Sequence, residues 1–507
     1  MGKIILYIAM LGLLTVSCQR MEKTINSSKK DFSSAMRLTT SEWDSLFASH
    51  QESAIYHRRF KHQDIDSLVQ LHAQRGILQV ERIGTSAAGR SISELTYGDG
   101  SIKVMLWSQM HGDEPTATMA LLDIFNFLEG QQDDGADSLR DLLKSKLQIH
   151  FIPMLNPDGA EIYNRRNVQS IDLNRDARAK QTVEGKLLTA RADAVKPSFG
   201  FNLHDQSIYY HVPETQNPVT ISLLAPAYNE AREINETRGN AMKLIAGINK
   251  MVQQYQPEAV AKYDDTHSPR GFGDNFQKWG AATVLIESGG LKGDVEKQQI
   301  RKINFIIILN ALMEIAQGSY EQYEIAQYDD IPFNGSSLLH DVFIRNLEIG
   351  SDSVPLRTDI AIRRAENTVD RDFFVRGWVE DLGDLQESFG YDQVDASQLH
   401  FVQGRISPKV ITSVNNLSKS EAFDLLKQGY MAIRLQPATA GNAASFHNLP
   451  IQLFTQPTFY LTSRIDLGGT ANFYLADDSG RLLYAVLNGY LIDLNQPLKE
   501  TFKNKVL

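Results

Sequence analysis

Between residues 102 and 316 short apolar runs alternate with longer helical patterns. Residues 102–107 are apolar apart from Lys103 and read as a strand, and residues 116–128 follow with a helical pattern. Further strand-like runs fall at 147–155, 199–203 and 282–286, and further helical ones at 225–252 and 296–316. Such alternation predicts an α/β fold with a largely parallel central sheet. Sites in open sheets of that kind lie beyond the carboxyl ends of the strands. His111, Asn156, His204 and Glu287 all stand at or just past the ends of apolar runs.

From residue 319 the pattern changes. Residues 319–334 are rich in Tyr, Gln, Glu and Asp and read as a linker. Beyond them, strand-like runs at 373–379, 431–435, 452–454, 459–461 and 482–491 are separated by Gly, Asn, Asp and Pro, with one helix expected at 419–427. This predicts a β-rich accessory domain over 335–507. His340, His400 and His447 are isolated there and read as core or surface histidines.

The chain has 507 residues, too many for one ordinary core, so two domains are expected. Its 42% hydrophobic and 22% charged content is that of a soluble globular protein. A net charge of −10 with no basic run argues against nucleic acid as a partner. Residues 1–17 read as a signal peptide: Lys3 supplies the positive region, and 4–16 is apolar but too short for a spanning helix. Residues 13–18 resemble a bacterial lipoprotein signal, with Ser17 before Cys18, the only cysteine. That resemblance implies acylation of Cys18 and a lipid anchor to the membrane of the cell envelope, and the polar residues that follow, with few large apolar groups, read as a tether over 18–45. No thiol is then left for disulfides or zinc, so any metal must be held by His and carboxylate.

The chemistry-bearing motifs appear in a definite order. His111-Gly112-Asp113-Glu114 can offer one imidazole nitrogen and one carboxylate to a single metal ion. With 12 histidines, one such motif is expected about once by chance, so alone it decides little. It is followed by Asn156-Pro157-Asp158-Gly159, Arg165-Arg166-Asn167, Asp172-Leu173-Asn174-Arg175, His204 and Glu287.

In order and spacing, residues 50–318 resemble the zinc carboxypeptidases, the carboxypeptidase A-like metallopeptidases. The family's fold is a mixed sheet flanked by helices, expected here over 46–318. The resemblance implies one Zn2+ on His111, Glu114 and His204, with Asp172 orienting His111 and Glu287 as general base. It gives Arg165 the scissile carbonyl, and Asn174 and Arg175 the C-terminal carboxylate of a peptide substrate. Gly89-Arg90 resembles the family's Gly-Arg turn before a strand. There is one departure: His267 stands near the place of the family's mobile tyrosine, with Tyr263 four residues earlier, so either could cap the substrate. Phe272-Gly273 fall where an acid would select basic C-termini, which leaves side-chain preference open. The expected activity is a zinc-dependent carboxypeptidase of the cell envelope. The alternatives are an amidase on cell-wall peptides or acyl-amino acids using the same chemistry, and a non-catalytic peptide-binding lipoprotein.

Overall fold

A computed structural model describes residues 32–130, 134–351, 353–436 and 446–507. The chain divides into two units, residues 1–35 and Met36–Leu507. In the first, the described residues form a turn in which the Ala35 N–H donates to the Phe32 carbonyl. The expected signal segment and acylation site, residues 1–17 and Cys18, lie outside the described residues, as does the tether as far as residue 31. The far end of that stretch is folded. Helix α1 (Thr40–His50) begins at a reciprocal cap between Thr39 and Glu42, and its Trp43 is fully buried.

Among the described residues, eight strands form the sheet of the first half. They are β1 (Gln79–Thr85), β2 (Ser91–Tyr97), β3 (Ile102–Ser108), β4 (Leu147–Ile152), β5 (Phe199–Asp205), β6 (Ile221–Leu224), β7 (Val260–Lys262) and β8 (Ala282–Ser288). Their order is β1-β2-β4-β3-β5-β8-β6-β7. The central run β4-β3-β5-β8 is parallel, while β1, β2 and β6 join antiparallel. The sheet is thus mixed and largely parallel at its centre, as expected.

The helices are α2 (His62–Arg75), α3 (Thr116–Glu129), α4 (Asp137–Lys146), α5 (Pro157–Glu161), α6 (Val183–Val195), α7 (Glu236–Val252), α8 (Phe272–Lys278) and α9 (Gln298–Gln317). They cover both sheet faces, which is why the central strands are apolar throughout rather than alternating with polar residues. Successive residues still point to opposite faces. Val104 and Leu106 join the core built with α3, α7 and α9. Met105 and Trp107 join a second core with Leu188 of α6 and Phe272 and Phe276 of α8. Helix α9 is buried on nearly all sides, so its run of isoleucines carries no clear polar stripe.

The stretch expected as a linker is packed. Ser319–Gln322 and Ile325–Asp329 are short helices, and Tyr320, Tyr328 and Ile331 join the α3/α9 core. The Lys262 ammonium, donating to the Tyr328 and Asp329 carbonyls, fastens it further. Polar composition hid this, because three large side chains suffice to dock a short segment.

Beyond it, β9 (Leu339–Ser351), β10 (Val354–Val369) and β11 (Asp372–Gly383) form an antiparallel meander. Strands His400–Val402, Phe473–Ala476, Leu482–Leu487 and Tyr490–Asp493 extend the sheet, and Phe389–Asp395 pairs with β9. Helix Lys419–Lys427 appears where expected, beside a small parallel sheet of Arg405–Ile411, Tyr430–Leu435 and Gln452–Phe454. Residues 459–461, expected as a strand, are irregular, and Tyr460 is exposed. The C-terminal region is β-rich. Among the described residues no helix is long and apolar enough to cross a membrane.

Candidate active site and metal centre

The site is assembled by two tight turns and one strand pairing. After β3 the chain reverses, and the backbone N–H groups of Leu155 and Asn156 donate to the carbonyls of Ser108 and Gln109. The turn carrying His111 is thereby pressed against the turn carrying Asn156. At Gly112 a side chain would meet the backbone of Gly159 and Ala160 at 2.0 to 2.2 Å, so only glycine allows the approach. Asn156 caps α5 by accepting from the Gly159 N–H at 2.9 Å, and its amide donates to the Met110 and Arg165 carbonyls. Buried Asp158 accepts from Ser86 Oγ, the Ala88 N–H and Arg90, which locks the Gly89-Arg90 turn in place. The Asn156-to-Gly159 motif is therefore a brace for the His111 loop.

His111, Glu114 and His204 meet at one point. Glu114 Oε1 lies 2.8 Å from His111 Nδ1, Glu114 Oε2 lies 2.6 Å from His204 Nδ1, and the two ring nitrogens are 3.2 Å apart. One donor atom from each lies within 4.8 Å of the others, and among the described residues this is the group found that could hold a metal ion. All three side chains are buried. Two imidazole nitrogens and one carboxylate suit zinc and leave a coordination position open. His111 Nε2 lies 3.0 Å from Asp172 Oδ1, the arrangement that fixes ring orientation in metal-binding histidines. Asp172 also accepts from the Asn174 N–H, which starts the short turn Leu173–Arg175.

Electrostatics fit the donor set. Burial pushes Glu114 up, but the flanking His111 and His204 overcome it and hold the carboxylate ionised, well below its ordinary range. Burial lowers the pKa of His204, whereas at His111 Glu114 and Asp172 outweigh burial and raise it. Burial also opposes ionisation of Asp172, yet His111, Arg165 and Arg175 draw it well below the usual carboxylate range.

Strand pairing brings in the next residue. In the β5/β8 register His204 stands directly opposite Glu287. Burial, reinforced by the charges of Glu114 and Asp205, raises the Glu287 pKa well above the ordinary value. Arg165 donates to Glu114 Oε1 at 3.0 Å and to Asp172 Oδ2 at 3.1 Å. The neighbouring Arg166 is exposed and bonds the Ser170 carbonyl instead.

A cavity of about 960 Å³ opens over this cluster, lined among others by Glu287, Arg165, Asn174, Arg175 and Tyr263. Asn174 is held by the Phe272 N–H, which donates to its Oδ1 at 2.9 Å, and Arg175 is exposed to the cavity. His267 is not among the lining residues. Its Nδ1 sits 3.0 Å from the Ala227 carbonyl and 3.2 Å from Asp274 Oδ1. Tyr263 faces the cavity in its place, donating to Tyr210 Oη. Local spacing could not distinguish the two, because the loop's path depends on Asp274, which accepts from the Ser268 N–H.

Sequence reasoning missed several lining residues. Asp205 accepts from Thr116 Oγ1 and pairs with Lys297 at 3.0 Å. Asp205 directly follows His204, a signal that was available; Lys297, Tyr209, Arg58 and Glu366 gave none.

The fold and site define an α/β protein with a buried His–Glu–His group able to hold a metal ion. Residues 63–221 match the model of the zinc carboxypeptidase family, and His111, Glu114 and His204, a set suited to one Zn2+, all lie within that stretch. The chain is 37% identical over 67 residues to carboxypeptidase SOL1 of Arabidopsis thaliana, covering 13% of each protein. It is 30% identical over 136 residues to an uncharacterized protein of Zymomonas mobilis, covering 26% of this chain and 35% of that one. The match thus spans about a third or less of each curated relative. Among solved structures, a metallo-carboxypeptidase from Burkholderia cenocepacia is similar at 17% identity with a TM-score of 0.40, over 52% of this chain and 70% of that one. Carboxypeptidase A from Helicoverpa armigera is similar at 14% identity with a TM-score of 0.42, over 55% and 80%.

Proposed function

We propose that this protein is a zinc-dependent carboxypeptidase that removes C-terminal residues from peptides. The observation that carries the reading is the β5/β8 register, which sets Glu287 beside the His111, Glu114 and His204 centre under one cavity. Zinc, when bound there, supplies a Lewis acid that acidifies water and polarises a carbonyl. The protein's own residues do the rest. Asp172 keeps His111 oriented. Arg175 and Asn174 receive the substrate's terminal carboxylate, to which a guanidinium offers two parallel hydrogen bonds. Arg165 faces the scissile carbonyl oxygen. Glu287 takes one proton from the attacking water as its oxygen bonds the carbonyl carbon. It then passes that proton to the amide nitrogen as the C–N bond breaks, leaving a shortened peptide and a free amino acid. A carboxylate with a raised pKa is suited to both halves of that transfer.

The second reading is an amidase on cell-wall peptides or acyl-amino acids using the same chemistry. Tyr263, which faces the cavity where His267 does not, supplies a capping tyrosine and so favours the first reading over this one.

The deciding experiment pairs metal analysis with turnover of a blocked dipeptide. Wild type should carry about one zinc per chain, lost to chelators and restored by added zinc, and His204→Ala should lose retention by orders of magnitude. Glu287→Gln should keep its zinc yet lower kcat by about two to four decades. Full turnover by Glu287→Gln would place the base elsewhere. Equal zinc in wild type and His204→Ala would overturn the metal site.

A further inference from the structure

The cavity over the metal centre has two ends of different construction. Asn174 and Arg175 follow Leu173, which packs with Phe272 in the core on the α6/α8 face of the sheet. Asp205 and Lys297 belong to the opposite face: Asp205 is bonded by Thr116 at the start of α3, and Lys297 directly precedes α9. The metal cluster lies between, at the ends of the central strands. On the carboxypeptidase reading, a peptide whose carboxylate rests on Arg175 would extend its amino-side residues toward the Asp205 and Lys297 end.

That end is finished by the C-terminal sheet. Glu366 of β10 lines the cavity together with Arg58. Both Glu366 oxygens accept from Arg58 Nη2, at 2.8 and 2.7 Å, and Oε2 also accepts from Arg59 Nη2 at 2.8 Å. Arg59 is itself clamped between the rings of Tyr163 and Phe373, with its guanidinium 4.3 and 4.1 Å from their centroids. The same sheet holds the wall that follows His204. Tyr209 Oη donates to Asp341 of β9 and to the Arg364 carbonyl of β10, the Arg363 guanidinium lies 3.8 Å over its ring, and Tyr391 Oη donates to the Ile208 carbonyl.

Exposure decides which group a substrate meets. The Glu366 side chain is 32% exposed, whereas Arg58 and Arg59 are 10% and 3%. Lys297 and Asp205 pair through Asp205 Oδ2 and are only 6% and 7% exposed, with Asp205 Oδ1 buried and unpartnered among the described residues. The accessible chemistry at this end is thus a carboxylate held rigid from behind by two arginines, with a lone pair of Oε1 still free. Glu296 Oε2 also lies 3.8 Å from Arg58 Nε, so two carboxylates balance the two guanidiniums, and Glu366, ionised and oriented before substrate arrives, can accept one further charged donor.

From this arrangement we infer that Glu366 is a specificity-determining residue contributed by the C-terminal sheet, which recognises the free α-ammonium of a short peptide. The inference rests on the carboxypeptidase reading of the centre. It assigns the C-terminal region a direct part in substrate choice, and it makes short peptides with an unblocked amino end the preferred substrates.

The test compares tri- and tetrapeptides carrying a free amino terminus with the same peptides N-acetylated, all with free C-termini. Wild type should show kcat/KM higher on the free-amine form by roughly ten- to a hundredfold at one of these lengths, the worth of a charged hydrogen bond. In Glu366→Gln that ratio should collapse toward one, chiefly through KM, with zinc content unchanged. A residue that merely held the sheet in place would lower both substrates alike and leave the ratio intact, which would overturn the assignment. Should Glu366→Gln fail to fold, the wild-type ratio still decides, since equal rates on free and acetylated peptides at both lengths exclude ammonium recognition. Failure to cleave either form would count against the carboxypeptidase reading instead.

Discussion

Arg175 and Glu287 divide binding from chemistry, and each can be tested alone. Arg175 is exposed to the cavity and, among the described residues, donates only to the carbonyl of its neighbour Asn174. Arg175→Ala should reduce kcat/KM by roughly ten- to a few hundredfold, the usual loss for a charged hydrogen bond. The penalty should vanish on a substrate whose C-terminus is an amide, because no partner charge remains. Equal damage on acid and amide substrates would move the amidase reading ahead. Glu287 has a signature in pH. Burial and the nearby carboxylates raise its pKa. A general base works only when ionised, so activity is present above that raised pKa and is lost as pH falls through it. The acid limb of kcat/KM should therefore lie above the ordinary glutamate value of about 4.3. An acid limb at or below that value in a pH–rate profile would remove Glu287 from the role.

Among the elements, α3 and α9 are joined by one fully buried ion pair. Arg301 and Asp123 are both inaccessible, and the guanidinium also donates to the Glu52 carbonyl while Asp123 accepts from the Glu52 N–H. Burial raises Asp123 to about 6 even with Arg301 beside it, so the carboxylate depends on that partner. Arg301→Met should leave Asp123 stranded and cost about 3 to 5 kcal/mol in denaturant unfolding. Arg301→Met combined with Asp123→Leu should recover much of that loss, since two well-packed apolar residues often replace a buried pair without penalty. A single variant as stable as wild type would show the pair to be dispensable. The same two helices carry Thr116 at one start and Lys297 just before the other, both bonded to Asp205. The pair thus stiffens the scaffold beneath one end of the cavity.

At the scale of the whole molecule, location is the open matter, and we propose envelope anchorage through Cys18. Cys18→Ser should release the protein from the membrane fraction or block its processing, because stable anchoring needs more than one acyl chain and a mature lipoprotein supplies it. Unchanged membrane association and gel mobility would count against it. The alternation of apolar runs foretold the parallel sheet and its helices, because each central strand is buried on both faces and each helix must reach back across it. Motif order likewise foretold the metal set, since His111 and Glu114 are close in sequence and His204 ends a strand. Asp172 was singled out through the resemblance alone, since its contact with His111 spans 61 positions and is made by the tertiary structure. Other features had no local signal. His267 and Tyr263 sit on one loop, and only its packing against Ala227 and Asp274 turns one away and leaves the other facing the cavity. Residues 319–334 looked solvated, because Tyr320, Tyr328 and Ile331 gain a core only from helices far away in the chain. Glu366 and Arg58 are 308 positions apart and read separately as surface charges. What the sequence determined by itself was whatever local periodicity and short motifs encode. Tertiary structure alone decided which distant side chains share a wall, because that depends on how two sheets pack and not on any neighbouring residue.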